Sequence, residues 1–187
     1  MTRTRRARPA PALLAALLAA LLLGLALSGC DDDRPRADVD AGDPTRCGVG
    51  PATITLGVDH PFVPTPDHRF PIDQGRQGGH HLDISIRATG ALDPDHTDVE
   101  LGLYDGAIRL ARHVTVDWLL YIAPDGAGCD YPRARLVLLD EEGGLLPPDR
   151  VAALVGRPLR LDVHLRSPLG DADGEFTVTP TEIRPIE

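Results

Sequence analysis

The sequence predicts an all-β fold, an immunoglobulin-like antiparallel β-sandwich of about 7–8 strands with one short helix. Three observations predict it. From Thr53 onward, apolar residues recur with a period of two in short runs, the spacing that puts every second side chain on one face of a strand. The runs are separated by Gly-, Pro- and Asp-rich stretches: Leu92-Asp93-Pro94-Asp95, Ala123-Pro124-Asp125-Gly126, Glu142-Gly143-Gly144 and Asp171-Ala172-Asp173-Gly174. These are turn compositions. Only one segment, Pro147 to Val155, carries a helical period.

Taken in order, Thr53 to Val58 alternates with Ile54, Leu56 and Val58 on one face. Residues 59–76 are broken by proline and glycine but hold Phe62, Val63, Phe70 and Ile72. They are expected to be loop with a short edge strand. From His80 to Arg87, Leu82, Ile84 and Ile86 face one way, and Asp83, Ser85 and Arg87 the other. Val99, Leu101 and Leu103 repeat the pattern, and Val114, Val116, Trp118, Leu120 and Ile122 suggest one longer strand with the sole Trp. Ala134 to Asp140 is a nearly continuous apolar run, as in a strand buried on both faces. Near Pro147–Val155, Pro148 suits a first helical turn, Val151, Leu154 and Val155 share a face, and Gly156 ends it. Leu159, Leu161, Val163 and Leu165 alternate with Arg160, Asp162, His164 and Arg166, and Phe176 and Val178 alternate with Thr177 and Thr179.

Residues 1–29 have the three parts of a secretory signal: a basic start (Arg3, Arg5, Arg6, Arg8), an uncharged Ala/Leu/Gly run from Ala12 to Leu27, and the small pair Ser28-Gly29. The run is shorter than the roughly 20 apolar residues of a membrane span. It ends in Leu27-Ser28-Gly29-Cys30, followed by Asp31-Asp32-Asp33. This stretch resembles the lipobox of bacterial lipoproteins. The resemblance implies cleavage before Cys30 and a diacylglyceryl group on its sulfur. The membrane is then a partner through the N-terminal lipid, because two or more acyl chains anchor stably. The expected location is the bacterial cell envelope, facing the periplasm or the cell surface.

Residues 30–46 are charged and nearly devoid of apolar side chains, so they are expected to be a disordered acidic tether. Residues 47–187 are expected to be the β-sandwich domain. Four of the 19 basic residues lie in the leader, leaving 15, all Arg, against all 28 acidic residues, a formal charge of −13 from Cys30 onward. Such a balance disfavours nucleic acid and anionic membrane surfaces as partners. With Cys30 assigned to lipid, Cys47 and Cys129 remain. In an exported domain such a pair is expected to form a disulfide.

The most individual motif is Gln74-Gly75-Arg76-Gln77-Gly78-Gly79-His80-His81. Its glycines allow a tight turn into the following strand. Adjacent strand residues point to opposite faces, so His80 shares the inward face with Leu82, and His81 points outward with Asp83. A metal could use His81, with Asp83, His80 or a loop histidine such as His60 or His68. One strand-borne histidine is a single ligand, however, and tight sites need three or four. Gln77 to His81, the strand after it and Arg87 to Pro94 resemble a recurrent pattern in exported bacterial lipoproteins of uncharacterised function, which carry a Phe-x-Pro segment upstream, here Phe62-Val63-Pro64, and a Gln-Gly-Gly-x-His motif. The resemblance spans roughly residues 50–105 and implies location and fold, with His81 as the motif histidine. Arg76 departs from the proline often found before the motif glutamine.

Asp171-Ala172-Asp173-Gly174-Glu175 superficially resembles a calcium loop, but a strand follows where further ligands belong, so a hairpin turn is expected. There is no Gly-x-Ser-x-Gly elbow, phosphate loop or dinucleotide fingerprint, and Asp140-Glu141-Glu142 has the composition of a solvated turn. The expectation is therefore a protein that is not an enzyme and needs no cofactor, a binding or structural module with a possible envelope protein partner. The alternative is a copper- or zinc-binding lipoprotein using His81.

Overall fold

The computed structural model describes residues 45–185. The leader, Cys30 and the tether up to residue 44 lie outside the described residues. Among the described residues the strands are β1 (Thr53–Val58), β2 (Val63–Pro64), β3 (Arg69–Gln74), β4 (His80–Thr89), β5 (Thr97–Asp105), β6 (Ile108–Trp118), β7 (Tyr121–Ile122), β8 (Cys129–Val137), β9 (Leu159–Ser167) and β10 (Gly170–Pro185). One helix, α1 (Pro148–Ala152), joins β8 to β9. The all-β sandwich expected from the period-two runs is present. Eight of its ten strands have six residues or more, and the other two, β2 and β7, are two-residue additions.

The strands form one continuous mixed sheet that folds over itself in two layers. In the first layer β4 is central. It has β8 along one edge and shares the other between β1 and β3. In the second layer the order is β10, β9, β5, β6, all antiparallel. The long β10 belongs to both layers. Gly170–Val178 pairs antiparallel with β9, and Thr179–Pro185 pairs parallel with β3, with the register shifting between Pro180 and Ile183. That parallel pair is the departure from a purely antiparallel sandwich. On the opposite side β6 meets β8, where the Leu139 N–H donates to the Leu110 carbonyl at 2.8 Å and His113 Nε2 lies 2.6 Å from the Tyr131 hydroxyl.

The inward faces carry the alternating residues read from sequence. Leu56, Phe70, Ile72, Leu82, Ile84, Ile86 and Leu136 meet Val99, Leu101, Leu103, Leu161 and Val163, all essentially inaccessible. Burying such side chains contributes about 1.5–3 kcal/mol each. Val151 and Leu154 of the helical segment close the end of the same core, and Gly156, at φ +77°, turns the chain into β9.

The disulfide between Cys47 and Cys129 is formed, with Cα atoms 5.0 Å apart and a sequence separation of 82. The β4–β8 ladder has a bulge in which Pro132 and Arg133 face Ser85. Proline is tolerated there because a bulge needs no ladder donor. The buried Ser85 hydroxyl repairs the gap, accepting from the Arg133 N–H at 3.1 Å and donating to the Asp59 carbonyl at 3.0 Å.

Three local expectations change. Asp171 to Glu175 is not a turn but the first part of β10, paired with Arg166 to Asp162 of β9, and the hairpin turns at Pro168-Leu169. Pairing with β9 supplies what the short polar residues alone lack. Ala134 to Asp140 is not buried on both faces: Arg135 and Val137 are exposed while Ala134, Leu136 and Leu138 are buried, because only one side of the first layer meets the second. Finally, the expected long strand breaks after Trp118, and Val114, Val116 and Trp118 point to solvent.

Candidate functional site

The Gln74–His81 motif is a β3–β4 hairpin. Gln74 pairs with His80 and Asp73 with His81. The loop between them closes with the Gly75 N–H on the Gly79 carbonyl at 2.7 Å and the Gly78 N–H on the Gly75 carbonyl at 2.9 Å. Gly78 takes φ +84°, a left-handed value open to glycine at no steric cost.

The hairpin puts the two histidines on opposite faces, as their strand positions require. His80 is buried, and its Nδ1 has no hydrogen-bond partner. His81 is also buried, but on the outer face of the first layer. There it stands beside Asp73 on β3 and Asp83 on β4, and one ligand atom from each of the three lies within 4.8 Å of the others. His80, His60 and His68 are not part of this cluster. His60 packs its ring against Tyr121, with centroids 5.5 Å apart, and His68 lies edge-on to Phe176 at 5.4 Å.

The register makes the cluster a ladder of charges. Arg184 on β10 stands opposite Asp73, Asp73 opposite His81, and Arg135 on β8 opposite Asp83. Arg135 grips Asp83 through Nε and Nη2, both at 3.0 Å, and Arg184 grips Asp73 at 3.0 and 3.4 Å. These are two-pronged, charge-assisted bonds. His81 Nε2 lies 3.7 Å from Asp83 Oδ1, beyond hydrogen-bond reach. Burial pushes the His81 pKa below its ordinary 6.5; Asp83 pulls it upward and Arg135 downward. The imidazole is therefore neutral at neutral pH, the form that binds metals. Over the hairpin lies a cavity of about 560 Å³ lined by His80, His81, Arg135, Val137, Leu145 and the loop.

Chemically, the cluster offers one imidazole nitrogen and two carboxylate oxygens, the donor types of an open zinc site. A cation entering it must displace two guanidinium forks, and this competition is the main obstacle to binding. Asp73, Arg135 and Arg184 were not singled out from the sequence, because their relation to His81 arises from strand pairings as far as 111 residues apart.

A second ionic centre lies on the same layer. Asp130, almost wholly buried, receives Arg87 Nε at 2.7 Å and Nη2 at 2.9 Å, and Arg87 Nη1 reaches Asp125 at 2.9 Å. Asp130 raises the Arg87 pKa further, so the guanidinium stays charged. The arrangement is closed on itself and presents no unpaired group for chemistry. Compared with known protein families and with curated proteins, the chain matches none.

Proposed function

We propose that this chain is a lipid-anchored extracytoplasmic lipoprotein whose β-sandwich acts as a non-catalytic binding or structural module of the bacterial cell envelope. The observation that carries the reading is the Cys47–Cys129 disulfide, a bond that persists in oxidising compartments outside the cytoplasm. The Leu27-Ser28-Gly29-Cys30 stretch supplies the matching export and lipidation signal. The charge clusters around Asp83 and Asp130 support a non-catalytic role, since their carboxylates are held by arginines of the same domain. The full chain expressed in a bacterial host is expected to incorporate labelled palmitate and to sediment with membranes. Cys30→Ser should abolish the labelling. Wild-type protein without label, found in the soluble fraction, would be incompatible with the proposal.

The Asp73–His81–Asp83 grouping favours a second reading, a copper- or zinc-binding lipoprotein. In that case the protein takes up one equivalent of metal at micromolar concentration, and His81→Ala loses it. Arg135→Gln, which releases Asp83 from its guanidinium, should then tighten binding. Calorimetric titration with zinc and with copper distinguishes the two readings: no uptake by either the wild type or the Arg135→Gln variant leaves the cluster a structural charge ladder.

A further inference from the structure

The end of the domain that carries the disulfide also presents an apolar tip. β6 stops at a corner where Asp117 takes φ +52°. The corner is held by the Asp117 N–H on Asp98 Oδ1 and by the Asp117 carboxylate against His96 Nδ1, both at 2.7 Å. Beyond it Leu120 is 2% exposed, and its N–H donates to the Pro94 carbonyl. That single buried side chain pins the segment and leaves its neighbours outside. Trp118, Leu119, Tyr121 and Ile122 are 46%, 50%, 45% and 48% exposed, and Val116, on β6, is 68% exposed. Five exposed large apolar residues within seven positions of the chain make this corner the candidate contact surface.

The position of this tip says what it contacts. Ile122 pairs with Cys129, Cys129 is bonded to Cys47, and the Cys47 N–H donates to the Leu92 carbonyl. The chain arriving from Cys30 therefore enters the domain beside the tip. From Cys30 to Cys47 a fully extended chain spans at most about 60 Å. A lipid on Cys30 keeps the entry point, and the tip with it, close to the bilayer at high effective concentration.

We propose that Trp118, Leu119, Tyr121 and Ile122 dock onto the bilayer surface to which the chain is anchored. The inference rests on the lipid-anchor reading above. Trp and Tyr suit this place, having an apolar body and a polar edge, the combination enriched where hydrocarbon meets headgroups. Asp117 and Asp125 flank the tip in the chain, and Asp95 follows Pro94, whose carbonyl accepts from the Leu120 N–H, so the surface it fits is zwitterionic rather than anionic. The tip and the lipid then form two attachments, which orient the sandwich with its β6–β7 corner toward the membrane.

Trp118 is the only Trp, so indole emission reports on the tip alone. The lipidated full-length product is reconstituted into phosphatidylcholine vesicles, with and without phospholipid brominated high on the acyl chains. Flotation reports the anchor, and quenching by bromine reports the tip. The expected result is a blue-shifted emission that brominated lipid quenches and that aqueous iodide reaches poorly. The L119D/I122D variant, changed only at exposed positions, should float equally well, keep its thermal midpoint and lose most of the bromine quenching. A protein that floats but is quenched by iodide and not by brominated lipid overturns the docking while leaving the anchor intact. Shielding from both quenchers also overturns it and points to a protein, or a second copy, over the tip. A chain that does not float overturns the anchor and the docking together.

Discussion

Replacing Cys47 and Cys129 by alanine is expected to lower the free energy of unfolding by about 4 kcal/mol. The bond closes a loop with a sequence separation of 82, and a cross-link of that span removes much of the freedom of the unfolded chain. Before β1 begins at Thr53, the Cys47 N–H bonds the Leu92 carbonyl and the Ala91 N–H bonds the Gly50 carbonyl, so the cross-link and these bonds fasten the same segment. For a domain of this size the thermal midpoint should fall by on the order of 10 °C. Urea titration of the oxidised protein, the reduced protein and the double variant checks this. Equal midpoints for all three would mean that the bond constrains little in the unfolded chain.

The second large effect comes from removing a charge rather than a cross-link. Arg87→Met leaves the Asp130 carboxylate, 1% exposed, without its two guanidinium bonds. Removing one partner of such a pair costs about 3–5 kcal/mol, because the remaining charge is buried without compensation. The guanidinium also lies over the Phe62 ring, 4.8 Å from its centroid, and bonds Asp125, so its loss loosens three segments together. Adding Asp130→Asn to Arg87→Met removes the stranded charge and should recover more than half of the loss. If the double variant is as unstable as the single one, the cost lies in lost packing rather than in the charge.

The strands that face the core were legible because their signal is local. Leu82, Ile84 and Ile86, or Leu159, Leu161 and Val163, need only the period of two to declare which side they bury. Cys47 and Cys129 were legible by elimination. What depended on neighbours was not. Asp171 to Glu175 has the composition of a turn, yet it lies in β10 because β9 supplies its hydrogen bonds. Val114 and Val116 have the alternation of core residues, yet they are exposed, because β5 and β6 pair so that Thr115, not Val114, stands opposite the buried Val99. The site was half legible. The Gln74–His81 turn and the opposite facing of His80 and His81 follow from the strand, whereas Asp73, Arg135 and Arg184 join His81 through register with three other pairings. The feature of the site with the greatest chemical consequence, two arginines occupying both carboxylates, is a property of the sheet and has no trace in any short window of sequence.

Anchoring in the envelope is tested most directly by the intact mass of the protein purified from membranes. The expected species begins at Cys30, carries a diacylglyceryl group on that residue and retains the Cys47–Cys129 bond. A chain that keeps residues 1–29, or one that begins elsewhere without lipid, would contradict the lipoprotein reading and the membrane docking built on it.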